Sequence, residues 1–272
     1  NMTSAAELLF MSQSAVSQAI AELEGHYGIR LFERFSRKLY LTQAGEKLLG
    51  YARHMIRMNT EVENDMKMLS QNGAIRIGAS VTVSAHVLPK AVLSFKKANP
   101  LIHVEVIEDN TTKIENMTLR DKIDLGLVEG ETSSPDILTR PFMGDELTLI
   151  CSPGHRFADH PIIEPKDLEQ EDFIIREKGS GTRKIFEDRM AENDLAWKVA
   201  WTCNNAETIK MAVAQGLGVS VISKRAVANE VKSGLLCQKC IEGIVFKRQF
   251  KVIYHKNKYI TESMQRFMAL LL

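Results

Sequence analysis

The sequence lacks the features of a membrane protein, a secreted protein or a small disulfide-bonded protein. It has no run of 18 apolar residues, so no segment is a candidate membrane span. Its first residues carry neither the basic region nor the apolar stretch of a secretory signal. Four cysteines among 272 residues do not form a disulfide framework. We therefore expect a soluble, cytoplasmic protein.

An excess of charge of either sign is also absent. The chain has 35 Lys and Arg against 34 Asp and Glu, a net charge of +1. Binding to nucleic acid would therefore have to depend on a local patch of charge. Apolar residues make up 44% of the chain, enough for sizeable cores, and the length suggests roughly two domains and a small module.

Signals for catalysis are missing as well. The seven His have no metal-binding spacing, and there is no Gly-x-Ser-x-Gly nucleophile turn or Walker phosphate loop. No Ser/His/Asp set can be assembled from local signals. We predict that the protein is not an enzyme and has no cofactor and no metal site.

The first 72 residues contain no proline and have mostly helical patterns. A short helix at Thr3–Phe10 precedes Ser12, whose side chain can cap a second helix that runs to Tyr27 before Gly28 ends it. Residues 30–42 alternate well enough for a small hairpin. Thr42 then caps a third helix that runs to about residue 71.

The second helix has two unlike faces. Four apolar residues form one stripe: Val16, Ile20, Leu23 and Tyr27. The opposite face, here called the reading face, is short, polar and uncharged: Ser14, Ser17, Gln18 and Ala21. Gln can bond bidentately to adenine, Ser can bond several bases, and Ala can touch a thymine methyl group. With the preceding helix and its tight turn, the pattern is typical of a helix-turn-helix that enters a DNA major groove.

Basic residues surround the predicted hairpin, with only Glu33 against them. They are Arg30, Arg34, Arg37 and Lys38. Two basic strands beside a recognition helix form a wing that can hold DNA phosphates. Any one of these residues alone would be read as an ordinary surface charge.

The third helix carries a heptad repeat with a single Asn in it. Its members are Leu48, Ala52, Met55, Asn59, Val62, Met66 and Leu69. Such a seam usually pairs with a second copy of itself, and Asn59 could fix the register. The alternative is a long helix that packs on its own domain.

From Ile75 onward, strands alternate with helices of 10–15 residues. This pattern predicts parallel sheets built from βαβ units, arranged in two similar α/β lobes. A strand at Phe250–Tyr254 and a final helix at 260–272 could return to complete the first lobe.

Two loops in corresponding positions could hold a ligand. Residues 79–84 and 176–183 each follow a strand and place hydroxyls and free N–H groups at a helix N-terminus. This arrangement favours binding of an anion, at the strand ends where open α/β sheets take ligands.

The N-terminal residues resemble the signature of LysR-type transcriptional regulators. The pattern covers the stretch SAAELLFMSQSAVSQAIAELEGHYGIRLFERFSRKLYLTQAGEKLL, including Ser12-Gln13, Ser17, Leu23-Glu24, Gly28 and Leu31-Phe32-Glu33-Arg34. The resemblance implies a winged helix-turn-helix, a long linker helix and a two-lobed α/β effector domain like those of periplasmic binding proteins. We expect the DNA-binding domain at 1–45, the linker and dimerisation helix at 46–72 and the effector domain at 73–272. Within the last, lobe 1 would be about 73–140 and 241–272, and lobe 2 about 141–240.

Two features depart from the family pattern. Family members usually have Pro where this chain has Ser14, a position that tolerates Ser. The family's first helix is absent before Asn1, which would leave part of the apolar face of the helix-turn-helix pair bare, and we expect residues upstream to supply that helix.

The signature and the patterns together predict two sets of site residues. The DNA-binding set is Ser12, Gln13, Ser14, Ser17, Gln18, Arg34, Arg37, Lys38 and Thr42. The effector-binding set is Ser80, Thr82, Ser84, Ser180, Thr182 and Asn204. We leave Glu129 out, because it could equally be a lid beside the hinge or a plain surface residue.

The Gly179–Arg183 run, with Val128-Glu129-Gly130 in the first lobe, is similar to LysR-type regulators of carbon fixation and of sulfur assimilation, whose effectors are often small anions or phosphorylated metabolites. The resemblance implies promoter DNA and a small anionic metabolite as partners, and homodimers that join into tetramers.

Two alternatives remain open. One is a solute-binding protein without DNA function, which the helical leader disfavours. The other is a thiol-based redox sensor using the C-x-x-C of Cys237 and Cys240, which lies in what resembles a crossover to lobe 1 and not at a helix N-terminus. Cys151 and Cys203 are predicted to be buried strand residues.

Overall fold

The computed structural model describes residues 2–35, 38–71 and 73–271, and divides the chain into two compact units, 1–69 and 70–272. The first unit holds α1 (Met2–Leu8), α2 (Gln13–Tyr27), the strands β1 (Phe32–Phe35) and β2 (Lys38–Leu41), and α3 (Gln43–Gln71). No helix in the described ranges is long and apolar enough to cross a membrane.

Local capping sets the bounds of α2, as the sequence predicts. The side chain of Ser12 accepts a hydrogen bond from the Ala15 N–H, which satisfies one free donor at the helix start. Gly28 ends the helix with φ +67°, a left-handed conformation that glycine adopts without steric cost. Glu24 then fixes the chain after the helix, because its Oε1 accepts from the N–H groups of Leu31 and Phe32 at 2.7 and 3.1 Å.

The predicted hairpin and third helix are confirmed. Strands β1 and β2 pair antiparallel, with Phe32 opposite Leu41. The Thr42 hydroxyl donates to the Arg30 carbonyl at 2.7 Å and accepts from the Gly45 N–H at 3.0 Å, so it ties the hairpin to the start of α3. The apolar stripe of α2 is only partly buried. Leu23 and Tyr27 are exposed, because α1 has 7 residues against the 15 of α2 and cannot cover the whole stripe.

The second unit alternates strands and helices as expected. Its helices are α4 (Val81–His86), α5 (Leu88–Ala98), α6 (Thr111–Leu119), α7 (Gly181–Glu192), α8 (Ala206–Ala214), α9 (Lys224–Lys232) and α10 (Glu262–Ala269), with a 3₁₀ turn at Pro165–Gln170. Its strands are β3 (Ala74–Ser80), β4 (His103–Asp109), β5 (Leu125–Val128), β6 (Ile137–Cys151), β7 (Ile162–Ile163), β8 (Asp172–Arg176), β9 (Lys198–Cys203), β10 (Ser220–Ser223), β11 (Cys237–Ile241) and β12 (Phe246–His255).

Two long antiparallel strands join the halves of this unit. The order in the larger sheet is β4-β3-β5-β12-β6-β11-β7, with β10 also on β6. Strand β3 pairs in parallel with β4 and β5, whereas the whole of β12 pairs antiparallel with residues 137–147 of β6. The sequence analysis predicted parallel sheets and, within 137–151, placed only Cys151 in a strand. Its expectation was therefore wrong for this central pair.

The described buried apolar residues of the second unit form four clusters, two in each of two lobes. Lobe 1 packs β3, β4, β5 and the C-terminal half of β12 against α5, α6 and α10, around residues such as Phe95 and Phe267. Lobe 2 packs the C-terminal half of β6, β8 and β10 against α7 and α8, around residues such as Phe173 and Phe186. Because β6 and β12 contribute to both cores, these two strands connect the lobes. The exact domain and lobe bounds stay a prediction.

Candidate effector site and DNA-binding surface

A buried carboxylate lies between the lobes, at the residue after β5. Glu129 is only 2% exposed. Its Oε2 accepts from the hydroxyl of Ser80, at the start of α4, at 3.2 Å. Its Oε1 accepts from the hydroxyl of Thr182, in the first turn of α7, at 3.1 Å, and Thr82 adds a further hydrogen bond to the carboxylate. The hydroxyls therefore come from both lobes and converge on one negative charge.

An arginine from β12 completes this arrangement. Arg248 Nη1 donates to the Thr182 hydroxyl at 2.9 Å and lies 3.7 Å from Glu129 Oε1. Its Nε donates to Asp145 of β6 at 2.7 Å, and Asp145 also accepts from Ser223. The side chain of Arg248 is 2% exposed. We call Ser80, Thr82, Thr182 and Arg248 the Glu129 shell.

These partners keep Glu129 ionised. Burial by itself would raise the pKa of the Glu129 carboxyl, but the charge of Arg248 and the hydrogen bond from Thr82 oppose it. The charge of Arg176 and the hydrogen bond from Thr182 add to that effect, and the pKa falls below its ordinary value. The Glu129 shell therefore surrounds a negatively charged group, and in this structure that group is the carboxylate of Glu129 itself.

The two lobes also contact each other directly through their backbones. The Thr112 N–H at the start of α6 donates to the Gly179 carbonyl at 3.1 Å, from lobe 1 to lobe 2. Gly130 and Gly181 meet backbone to backbone, and a Cβ on Gly181 would lie 2.7 Å from the Gly130 nitrogen. Only glycine permits this approach, so the loop motif that contains Gly181 sets how closely the lobes can meet.

The structure brings together only part of the predicted effector set. Ser80, Thr82 and Thr182 surround Glu129. The hydroxyl of Ser180 is buried but makes no hydrogen bond within the described residues, and it borders a different cavity. Among the described residues, neither Ser84 nor Asn204 bonds to the Glu129 carboxylate; Ser84 is half-buried, and Asn204 is exposed and accepts from the Asn205 side chain. The ligand-binding role of all six stays a prediction.

The sequence analysis missed the charged members of the site. Glu129 is neither a lid nor a surface residue, because its carboxylate lies inside the shell. Arg248 carried a usable signal: it stands between Phe246 and Phe250 in a strand, and period two places all three on the buried face.

The cysteines lie in strands. Cys237 and Cys240 belong to β11 and not to a crossover, and Cys237 pairs with Cys151 of β6. Burial, with a smaller contribution from Cys237, raises the pKa of the Cys151 thiol to about 11, and burial also raises the pKa of Cys203. Neither of these two thiols is activated as a nucleophile.

Within the described ranges no three His, Cys, Asp or Glu side chains form a metal-binding group.

The reading face of α2 is open to solvent. Ser14, Ser17, Gln18 and Ala21 are exposed, together with Gln13, whereas Val16 on the other side is buried. Ser14 shares a hydrogen bond with Ser12, and Gln18 Nε2 donates to Glu22 Oε1 at 3.0 Å. These are local, solvent-exposed bonds, which a DNA base edge could replace at low cost.

The predicted wing is described in part. Arg34 is exposed on β1, and the backbone of Lys38 begins β2. Arg37 lies outside the described residues. Thr42 is half-buried at the start of α3, where its hydroxyl has the two partners given above.

Both units match known protein families. Residues 1–46 match the bacterial regulatory helix-turn-helix protein of the lysR family, and residues 70–272 match the LysR substrate binding domain. The chain belongs to the LysR family. It is therefore a DNA-binding transcriptional regulator with an effector-binding domain, as the sequence signature implied, and not an enzyme. The family also favours this function over the solute-binding and redox-sensor alternatives.

Individual LysR-family proteins extend the comparison. The chain is 31% identical over 266 residues to the uncharacterized HTH-type transcriptional regulator YeiE of Escherichia coli K12, covering 98% of this chain and 90% of that protein. It is 33% identical to the probable RuBisCO transcriptional regulator of Cyanidium caldarium, covering 97% and 86%. Its effector domain resembles the CcmR regulatory domain of Synechocystis PCC6803 in complex with 2-PG, with a TM-score of 0.68 and 27% identity over 73% of this chain and 95% of that one. The predicted similarity to carbon-fixation regulators is confirmed, and the similarity to sulfur-assimilation regulators stays a prediction.

Proposed function

We propose that this LysR-family regulator reads promoter DNA with the winged helix-turn-helix and changes its DNA binding when a small anionic metabolite binds between its two lobes. The DNA-binding domain would be 1–45, the dimerisation helix 46–72 and the effector domain 73–272, and the protein would act in the cytoplasm.

The observation that supports an anionic effector is the Glu129 carboxylate itself. A buried negative charge between the lobes accepts from the hydroxyls of Ser80 and Thr182 and lies beside Arg248. A carboxylate or phosphate group that replaced Glu129 would meet the same donors, and hydrogen bonds to charged groups are the strong ones. The anionic effector would therefore compete with the side chain that now fills its site.

The site also suggests how binding could reach the rest of the molecule. A ligand shifts a two-state equilibrium only by its differential affinity for the two states. Since the donors to Glu129 come from both lobes, an anion that contacts Thr82 and Thr182 at once would favour one arrangement of the lobes. The CcmR domain was solved with the small molecule 2-PG, which makes 2-PG a rational first probe for this chain.

The reading face supports a sequence-specific role for α2. Exposed Ser17 and Gln18 can bond base edges, and Ser12, Gln13 and Ser14 at the helix start can bond bases or phosphates. Exposed Arg34, with Arg37, Lys38 and Thr42, would hold the phosphate backbone.

The seam of α3 supports a homodimer. Met55, Val62 and Met66 are 60%, 51% and 58% exposed in the single chain, an apolar surface that a second copy would cover. Asn59 lies in the same row, and its side chain donates to Glu63 at 3.1 Å. A dimer would present two reading faces to a two-fold DNA site, and pairs of dimers would form the tetramer that the family resemblance implies.

Calorimetry with a panel of small carboxylates and phosphates, 2-PG included, tests the effector site. For the anion that binds, Thr82→Val and Thr182→Val should each weaken binding by about 1.5–3 kcal/mol, the value of one hydrogen bond to a charged group. Thr148→Val is the matched control, because its buried hydroxyl donates to the Lys239 carbonyl in lobe 2. Unchanged anion affinity in both shell variants, or no binding by any member of the panel, would contradict the proposal.

A further inference from the structure

Two thiols of lobe 2 face each other across neighbouring strands. Cys151 is the last residue of β6 and Cys237 is the first residue of β11, and the two lie directly opposite each other in the antiparallel pairing. Directly opposed residues of such a pair have Cα atoms about 4.5–5.5 Å apart, and a disulfide needs about 4.4–6.8 Å. The backbone therefore holds this pair at a separation that a disulfide can bridge.

Both side chains lie on the same face of the sheet. Cys151 is 0% exposed and belongs to an apolar cluster of lobe 2, and the half-buried Cys237 packs against that same cluster. The Cys237 thiol is close enough to contribute to the raised pKa of the Cys151 thiol. The two sulfur atoms can therefore meet without a change in the register of the strands.

The other two cysteines are not placed to bond with either member of this pair. Cys240 is three residues after Cys237 along β11, which puts it about 10 Å away and on the opposite, exposed face of the strand. Cys203 belongs to the other apolar cluster of lobe 2. The C-x-x-C motif therefore does not form a pair of its own, and the partner that the fold gives Cys237 is Cys151.

We propose that Cys151 and Cys237 form a modification site, at which a small disulfide such as glutathione disulfide oxidises the two thiols to a reversible cross-strand disulfide. The new bond closes a covalent loop over residues 151–237, which contains α7, α8 and α9. Because such a loop restricts the unfolded chain, oxidation stabilises lobe 2. This site goes beyond the proposed function, since it involves neither the Glu129 shell nor a bond between Cys237 and Cys240.

The half-buried thiol reacts first. The Cys237 thiolate attacks one sulfur of glutathione disulfide, so that a bond between Cys237 and glutathione forms and one glutathione thiolate leaves. The Cys151 thiolate then attacks the Cys237 sulfur and expels the second glutathione thiolate. The two protons that the cysteines lose end on the two glutathiones, so two protein thiols are oxidised as one small disulfide is reduced. The raised pKa of Cys151 keeps most of this thiol protonated at neutral pH, but an effective molarity of about 10⁵ M or more for groups held in place offsets that effect.

Peptide mapping of the whole chain after treatment with glutathione disulfide tests the proposal. Free thiols are blocked with N-ethylmaleimide, and digestion without reductant should then yield a pair of peptides joined through Cys151 and Cys237. Dithiothreitol should separate the pair, and the oxidised protein should melt several degrees higher than the reduced one. Cys240→Ser is the matched control, because it removes the other cysteine of the motif and should form the same disulfide as the wild type.

Two further variants separate the steps. Cys151→Ala should stop after the first step and keep one glutathione on Cys237. If that variant does not fold, Cys237→Ser still tests the order of the steps, because Cys151 should then stay unmodified. A disulfide between Cys237 and Cys240, or a wild type in which Cys151 and Cys237 stay unlinked, would overturn the proposal.

Discussion

Replacing Glu129 by Gln tests whether the Glu129 carboxylate occupies the site of an effector anion or has only a structural role. The change keeps the shape of the side chain and removes its charge. In the free protein the variant loses the charge pair with Arg248, 3.7 Å away, and weakens the hydrogen bonds from Ser80 and Thr182. Arg248 still donates to Asp145 at 2.7 Å in the variant, so the buried guanidinium keeps a charged partner. We expect a loss of about 1–3 kcal/mol of stability and a melting temperature several degrees lower.

The same free energy should reappear as a gain in anion affinity. An effector anion no longer has to displace a charged competitor, so 1–3 kcal/mol corresponds to roughly five- to 150-fold tighter binding. The assay is calorimetry with the anion that the wild type binds, beside thermal unfolding of both proteins. Glu171→Gln is the control, because Glu171 is a buried carboxylate of lobe 2 that pairs with Arg156 and His155 instead. It should lower stability without any gain in affinity.

The pH dependence provides a further check. Because the pKa of Glu129 is held below its ordinary value of about 4.3, its stabilisation is present above that pH and is lost as the pH falls through the lower, folded-state pKa. The stability difference between wild type and Glu129→Gln should therefore be constant near neutral pH and shrink in acid. A variant that is less stable but binds the anion equally well, or more weakly, would refute the competition and leave Glu129 as a structural residue.

Three further predictions concern other parts of the chain. Gln18→Ala should reduce the discrimination between the preferred base pair and other base pairs at one position by about 1–3 kcal/mol, measured by footprinting. The control is Gln238→Ala, an exposed Gln in β11, which should leave the sequence preference unchanged. An unchanged sequence preference in Gln18→Ala would exclude α2 as the helix that reads the bases. Val62→Glu should place like charges across the α3 seam and shift the protein from dimer towards monomer in sedimentation at micromolar concentration. The control Thr60→Glu, on the opposite face of the helix, should leave the dimer unchanged. A dimer unaffected by Val62→Glu would show that the seam is not the dimer interface. Asp124→Asn should lower stability by roughly 2 kcal/mol at neutral pH, because hydrogen bonds from Arg76 and Lys258 outweigh burial and lower the pKa of Asp124 to about 2. That difference should fade as the pH falls from about 4 to 2, and a pH-independent difference would contradict it.

Features encoded by neighbouring residues could be predicted from the sequence. The caps of α2 depend on Ser12 and Gly28, and both positions follow from local backbone needs. The same holds for the hairpin and for the alternation of strands and helices in the second unit. Apart from Cys151, the long strand β6 was missed because its identity depends on distant partners: β12, β10 and β11 pair with different parts of it. Pro141 and Gly144 inside it also look like loop residues, and the register shift of the pairing does fall beside Pro141.

The candidate site divides in the same way. Thr82 and Thr182 follow strands at helix starts, so pattern alone indicates that they lie at the lobe interface. Glu129 gives no such signal, because its burial depends on Arg248 and on the closure of the lobes. Ser84 and Asn204 resembled their neighbours in type, yet among the described residues neither side chain bonds to the Glu129 carboxylate. Whether a polar residue near a strand end enters a site is decided by long-range pairing.

The most direct test measures DNA affinity with and without the anion that calorimetry identifies. Fluorescence anisotropy on a duplex selected by the protein from a random pool compares the wild type with the Thr82→Val, Thr182→Val double variant. The account predicts that the anion shifts the midpoint for the wild type, that the double variant does not respond, and that both bind the duplex equally without the anion. An anion-dependent shift that persists in the double variant would contradict an effector site between the lobes at Glu129.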